Sequence, residues 1–144
     1  MIKLFIFFLI FNIYCWKNCE YEKSSNDDTN IKLISMNVSP SEKVHRGDTV
    51  KSKFHLKIIK GEIKKGILKV VAYKGFLPLM PFEYDIKKIF PKYTLPLKVG
   101  DYYGELEEKV PIYAFKGSYT TKARLFINEG NNVICGEYDI TILK

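Results

Sequence analysis

At 144 residues the chain is one domain long, with 47% hydrophobic and 15% aromatic residues, ten Phe and ten Tyr among them. Its formal net charge is +7, but the lysines are dispersed rather than clustered in one arm or helix, which argues against a nucleic-acid partner. A basic surface of this kind suits an anionic membrane, or is simply solvated.

The first residues, MIKLFIFFLIFNIYCW, place one lysine ahead of an apolar run from Leu4 to Tyr14. The run is shorter than the roughly 20 residues a membrane-crossing helix needs, and it fits the core of a secretory signal. No A-x-A pattern marks the cut. Cleavage after Cys15 is expected, making residues 1–15 a signal peptide and 16–144 the mature domain. A buried first strand or an uncleaved anchor is the alternative. Loss of Lys3 lowers the net charge from +7 to +6. Loss of Cys15 leaves Cys19 and Cys135, either as one bridge or as two unpaired thiols. A bridge across so long a loop contributes about 4–5 kcal/mol in the chain-entropy model.

After a polar lead-in from Glu20 to Asn30, short strand-like runs alternate with turn signals. IKLISMNV leads to Ser39-Pro40. TVKSKFHLKII alternates with period two, with Val50, Ser52, Phe54, Leu56 and Ile58 on one face and Lys51, Lys53, His55 and Lys57 on the other. GILKVVAYK follows. KGFLPLMPFEYDI is greasy, but Pro78 and Pro81 make it a poor central strand or helix, and an irregular segment is expected. YDIKKIF has room for one helical turn before Pro91 and Pro96. SYTTKARLFI puts Tyr119, Thr121, Ala123, Leu125 and Ile127 inward. VICGEYDITIL, beyond the turn NEGNN, does the same with Ile134, Tyr138, Ile140 and Ile142. About seven strands in one domain imply an all-β sandwich of two sheets. The aromatics can fill its interior or hold the sheets apart.

No catalytic constellation is present: no Ser–His–acid set, zinc-spaced Cys/His cluster, phosphate loop or calcium loop. His45 and His55 sit in a turn and on a lysine face. Glu105, Glu107 and Glu108 read as a solvated strand edge. Asn37 heads a glycosylation pattern, NVS, with Pro40 directly after it. No enzyme activity, cofactor or metal is expected.

Three segments, IKLISMNVSP, TLPLKVGDYYGELEEKVPIYAFKGSY and LFINEGNNVICGEYDITI, resemble the ML lipid-recognition domain. The nearest branches of that family are the Niemann–Pick type C sterol carriers and the phosphatidylglycerol/phosphatidylinositol transfer proteins. The likeness runs from about Cys19 to Ile142. It implies that this all-β sandwich is an immunoglobulin-like β-sandwich of two antiparallel sheets, spread to hold a lipid between them, and that a bridge joins Cys19 and Cys135. A second family bridge is missing, because Ile86 and Leu95 stand where both of its cysteines would be.

The resemblance also implies where a lipid would touch. Phe76, Leu79, Met80 and Phe82 fall on the family's proline-rich loop at the pocket mouth. Pro111, Ile112 and Phe115 fall on its other wall. Phe54, Leu56, Leu68, Val70, Tyr119 and Leu125 would line the gap from the two sheets, which on this reading stand too far apart to fill it themselves. Ile112→Asp is then the single-site test of the pocket. The implied protein is a monomeric carrier of a sterol or phospholipid, secreted or in the endosomal or lysosomal (vacuolar) lumen, touching anionic membranes transiently. The rivals are a lipid-presenting accessory protein and a ligand-free adhesion module.

Overall fold

The period-two runs become two sheets packed face to face. A computed structural model describes residues 17–18, 29–128 and 133–144. Its strands are β1 (Lys17–Asn18), β2 (Asn30–Ser39), β3 (Lys43–His45), β4 (Thr49–Lys60), β5 (Gly66–Lys74), β6 (Leu77–Asp85), β7 (Gly100–Lys109), β8 (Gly117–Ile127) and β9 (Val133–Leu143), with a helical turn α1 (Ile86–Ile89) between β6 and β7. One sheet runs β1-β9-β8-β5-β6, with β3 added in parallel on β9. The other runs β2-β4-β7. The remaining pairings are antiparallel, so this is the two-sheet sandwich that the strand count implies.

The alternation in β4 and β8 points where it should. Val50, Ser52, Phe54, Leu56 and Ile58 are buried from one sheet, and Tyr119, Thr121, Ala123, Leu125 and Ile127 from the other. Their packing makes two apolar clusters. One gathers Phe54, Leu56, Leu68 and Leu125 with Ile86, Ile89 and Phe90 from α1 and the residue after it. The second lies towards the opposite end and holds Val44, Val50, Ala72, Val110, Tyr119 and Ile140.

Residues 74–86 are not an irregular segment. They complete β5, turn at Gly75-Phe76, and return as β6 on the edge of the larger sheet. Gly75 takes φ of 64°, which a two-residue hairpin turn requires and glycine supplies cheaply. Proline lacks a donor for a ladder, but an edge strand leaves every second N–H without a partner, so Pro78 and Pro81 fit there. The register slips once: Val70 faces Phe82 while Ala72 faces Leu79, which leaves one extra β6 residue in a bulge around Met80, whose φ is 50°.

The helical turn closes one end. The Asp85 carboxylate accepts a hydrogen bond from the Lys87 N–H at 2.9 Å, capping α1, while Ile86 and Ile89 turn into the core. Here Gly104 is needed, since a Cβ on it would lie 2.5 Å from Phe90 Cε1 and 2.8 Å from the Ile89 carbonyl oxygen. Ile86 is buried, and Leu95 packs half-buried on the same cluster. Two apolar side chains thus occupy the places where the resemblance puts the missing bridge.

Candidate functional site

The sheets are not held widely apart. Their side chains meet over most of the interior and leave two small cavities, of about 70 and about 30 Å³. Aromatic rings account for this, because Phe54, Tyr119, Phe82 and Tyr138 project into the gap and fill it rather than prop it open.

The larger cavity lies between the edge strands of opposite sheets. Met80 and Phe82 of β6 form one side, and Glu108 and Lys109 of β7, with Val110 and Pro111 beyond it, form the other. Val70, Ala72, Tyr119, Thr121 and Tyr138 make its floor. Phe54, Leu56, Leu68 and Leu125 line the smaller cavity instead, with Ile89 and Phe90 closing it. Nine of the residues implied for lipid contact therefore divide between two cavities. Leu79 is half-buried against the second cluster and borders neither cavity.

Three residues stand elsewhere. Phe76 is fully exposed at the β5–β6 turn, and Ile112 and Phe115 are 78% and 68% exposed on the loop between β7 and β8. The reason is geometric. Pro111 turns the chain out of β7, and the Ala114 N–H donates to the Pro111 carbonyl at 3.1 Å, forming a tight turn that directs Ile112 and Tyr113 to solvent. Tyr119 pins the same loop, its hydroxyl donating to the Phe115 carbonyl at 2.5 Å. Lys74 Nζ donates to the Lys116 carbonyl at 3.2 Å, which brings the β5–β6 turn and this loop to one end of the sandwich. With Leu77 and Tyr113, five exposed apolar side chains gather at that end, beside Lys74 and Lys116.

One inward residue escapes a reading that treats Glu108 as surface. On β7, Leu106 is buried, Glu105 and Glu107 point out to Lys51 at 3.1 and 3.6 Å, and Glu108 follows Leu106 on the inner face. The alternation Leu106, Glu108, Val110 was legible, but the acid run Glu105–Glu107–Glu108 masked it. Burial pushes the Glu108 carboxyl up to about 7, against a hydrogen bond from Tyr84 that favours the ionised form. The same burial, with Glu108 beside it, pushes Tyr84 up to about 12. Tyr138 is raised as well, mainly by burial, although Thr121 and Ser52 lie within hydrogen-bonding reach.

The two histidines lie away from this cavity. His55 Nε2 lies 2.9 Å from Asp101 and its ring stacks on Tyr103 with centroids 4.4 Å apart, while His45 Nδ1 is 3.0 Å from the Lys144 carbonyl. Asn37 is exposed on β2. No group of three or more His, Cys, Asp or Glu side chains is arranged for a metal among the described residues. Cys135 is buried near the start of β9, and Cys19 lies outside the described residues, as does the proposed signal. No helix of the described residues is long and apolar enough to cross a membrane.

A family model for the ML domain matches residues 14–142. The chain belongs to the ML domain family. Among solved structures, a Niemann-Pick type C2 protein from Japanese carpenter ant superposes with a TM-score of 0.69 at 15% identity, covering 90% of this chain and 100% of that one. The C-terminal domain of wzt matches with a TM-score of 0.53 at 9% identity, over 86% of this chain and 81% of that one. The Pseudomonas fluorescens alkylpurine DNA glycosylase AlkC, bound to DNA with an abasic site analog, matches with a TM-score of 0.52 at 11% identity. It covers 79% of this chain but 30% of that one. At these identities the likenesses speak for the fold alone. No curated protein sequence matches the chain. Membership in the ML family supports lipid binding in general.

Proposed function

We propose that this ML domain carries a single lipid, a sterol or a phospholipid, between its two sheets and performs no chemistry on it. The observation that carries this reading is the larger cavity, an almost wholly apolar space partly open to solvent between the β6 and β7 edges. Apolar tails gain roughly 0.8 kcal/mol per CH₂ on leaving water, but little on leaving a bilayer. Exchange with a membrane is then close to neutral, as a carrier needs.

The cavity of about 70 Å³ is small beside the roughly 150 Å³ that admits benzene in an engineered apolar site. A whole lipid therefore requires the sheets to part. The β6 and β7 edges, which flank the cavity and which no ladder joins, are free to separate. The five exposed apolar side chains at the end that Val110 and Pro111 share with the cavity suit insertion into a bilayer, and the lysines around them suit an anionic surface. On this reading Phe76, Ile112 and Phe115 meet the membrane rather than the carried lipid.

The protein acts as a monomer, secreted or in the endosomal or lysosomal lumen, after removal of residues 1–15. A Cys19–Cys135 bridge belongs to this reading. The antiparallel register that pairs Lys17 with Glu137 and Asn18 with Gly136 runs towards Cys135, which supports it. Purified protein should take up a fluorescent sterol or phospholipid from vesicles, and uptake of neither would end the proposal. The small cavities favour one rival, a filled sandwich without ligand. Native mass spectrometry of gently purified protein separates the two, because a filled core retains no lipid.

A further inference from the structure

Among the described residues, the side chains facing the larger cavity are mainly apolar, with one polar belt. Ser52 of β4, Tyr84 of β6, Glu108 of β7, Thr121 of β8 and Tyr138 of β9 converge on it from both sheets. Tyr84 reaches Glu108, and Tyr138 reaches Ser52 and Thr121. Each phenol has one proton to donate, whereas an ionised carboxylate offers about four acceptor positions. Tyr84 satisfies one of them and leaves spare acceptor capacity. Glu108, Thr121 and Tyr138 all border the larger cavity, where the other walls are mainly hydrocarbon. A lipid entering it meets polarity chiefly here.

The charged and titratable groups around Glu108 can be named element by element. Tyr84 comes from β6, and Lys88 of α1 lies over the Tyr84 ring at 5.0 Å. Tyr138 comes from β9, and Tyr119 from β8 borders the same cavity. The nearest inward groups of β3 and β4 are Val44, Val50 and Ser52, none of them charged. Lys109 follows Glu108 along β7 and borders the cavity, with its residue exposed. Burial and the Tyr84 hydrogen bond, not a cation, govern the carboxyl.

Resting on the carrier reading, we infer that Glu108, held by Tyr84, selects the head of the ligand: it accepts a hydrogen bond from an uncharged hydroxyl and turns away an anionic head. The ligand class is a neutral, hydroxyl-bearing lipid. Lipids headed by phosphate or sulfate are rejected while the carboxyl is ionised, because two anions would share one poorly solvated space. Titration near 7 makes the selectivity pH-dependent: strict above that point, relaxed below it.

Two matched pairs test this with the full mature chain. Cholesterol and cholesteryl sulfate share a ring system, and 1-oleoylglycerol and 1-oleoyl lysophosphatidate share a tail. Each is titrated as a competitor of bound dehydroergosterol at about pH 8 and about pH 5, on either side of the carboxyl's titration at about 7. The neutral member of each pair should win by roughly tenfold or more at the higher pH, and that margin should shrink at the lower one. Glu108→Gln keeps the side-chain shape but removes the charge, and should abolish the margin between neutral and anionic members at both pH values. Tyr84→Phe should keep the margin and shift its midpoint upward, since the hydrogen bond favouring the ionised form is gone. Equal binding of both members by the wild type, or an undiminished margin in Glu108→Gln, overturns the inference alone. Failure of dehydroergosterol and all four competitors to bind overturns the carrier reading, and this inference with it.

Discussion

Glu108 is the residue at which sequence pattern and chemistry disagree. A carboxyl on the inner face of a strand is held at about 7 because burial penalises its charge. The consequence for stability has a definite sign. An acid whose pKa is raised on folding contributes most below its unfolded value of 4.5, and that contribution is lost as pH rises through about 7. With allowance for its partial exposure, the wild type should lose about 2–3 kcal/mol of unfolding free energy across that window. Urea titrations at a series of pH values should show the loss, and Glu108→Gln should flatten the profile. Ile112 gives the opposite case. At 78% exposure it adds little to the core, so Ile112→Asp should leave urea stability within about 0.5 kcal/mol of the wild type. It should instead slow lipid transfer from phosphatidylserine-containing vesicles, with affinity for lipid delivered from solution unchanged.

At the scale of elements, α1 and β7 are fitted to each other through the bare backbone of Gly104. A side chain there would overlap Phe90 and the Ile89 carbonyl, and backbone cannot swing aside as a flexible side chain can. Gly104→Val should cost about 1–3 kcal/mol, read as a fall in thermal midpoint. Because α1 closes the smaller cavity through Ile89, the same change should also loosen that end of the slot. β6 shows why prolines in a greasy run need not signal a loop. On an edge, Pro78 and Pro81 remove donors that would otherwise invite another strand to pair, so they also protect the open side of the sheet.

For the molecule as a whole, the two cavities set the terms. An enclosed empty volume of about 70 Å³ would cost about 2 kcal/mol at the rate seen for engineered cavities, and the partial opening to solvent here keeps the cost below that. A ligand that completes the interior restores this and adds its own binding free energy. Dehydroergosterol at a hundred times its Kd should therefore raise stability by about 2.7 kcal/mol, seen as a higher melting temperature. No shift at saturating ligand would leave the interior without a guest.

Much of the fold was legible because burial imposes a period of two on any strand with one wet face. The inward sets of β4 and β8 follow directly from the order of their residues, and the three family segments placed the chain among ML domains. Positions read from alternation, such as Phe54 and Leu125, do face the interior, as do Leu68 and Val70, which the family resemblance supplied. What local order could not supply was the distance between the sheets, which depends on how rings from both faces interlock. Nor could it place Ile112 and Phe115 outside, since a three-dimensional turn after Pro111 decides that. It also could not show that Glu108 of one sheet meets Tyr84 of the other. Alternation is a property of neighbours along one chain segment, whereas cavity size, exposure at a loop tip and contact between opposite edges depend on segments far apart in sequence.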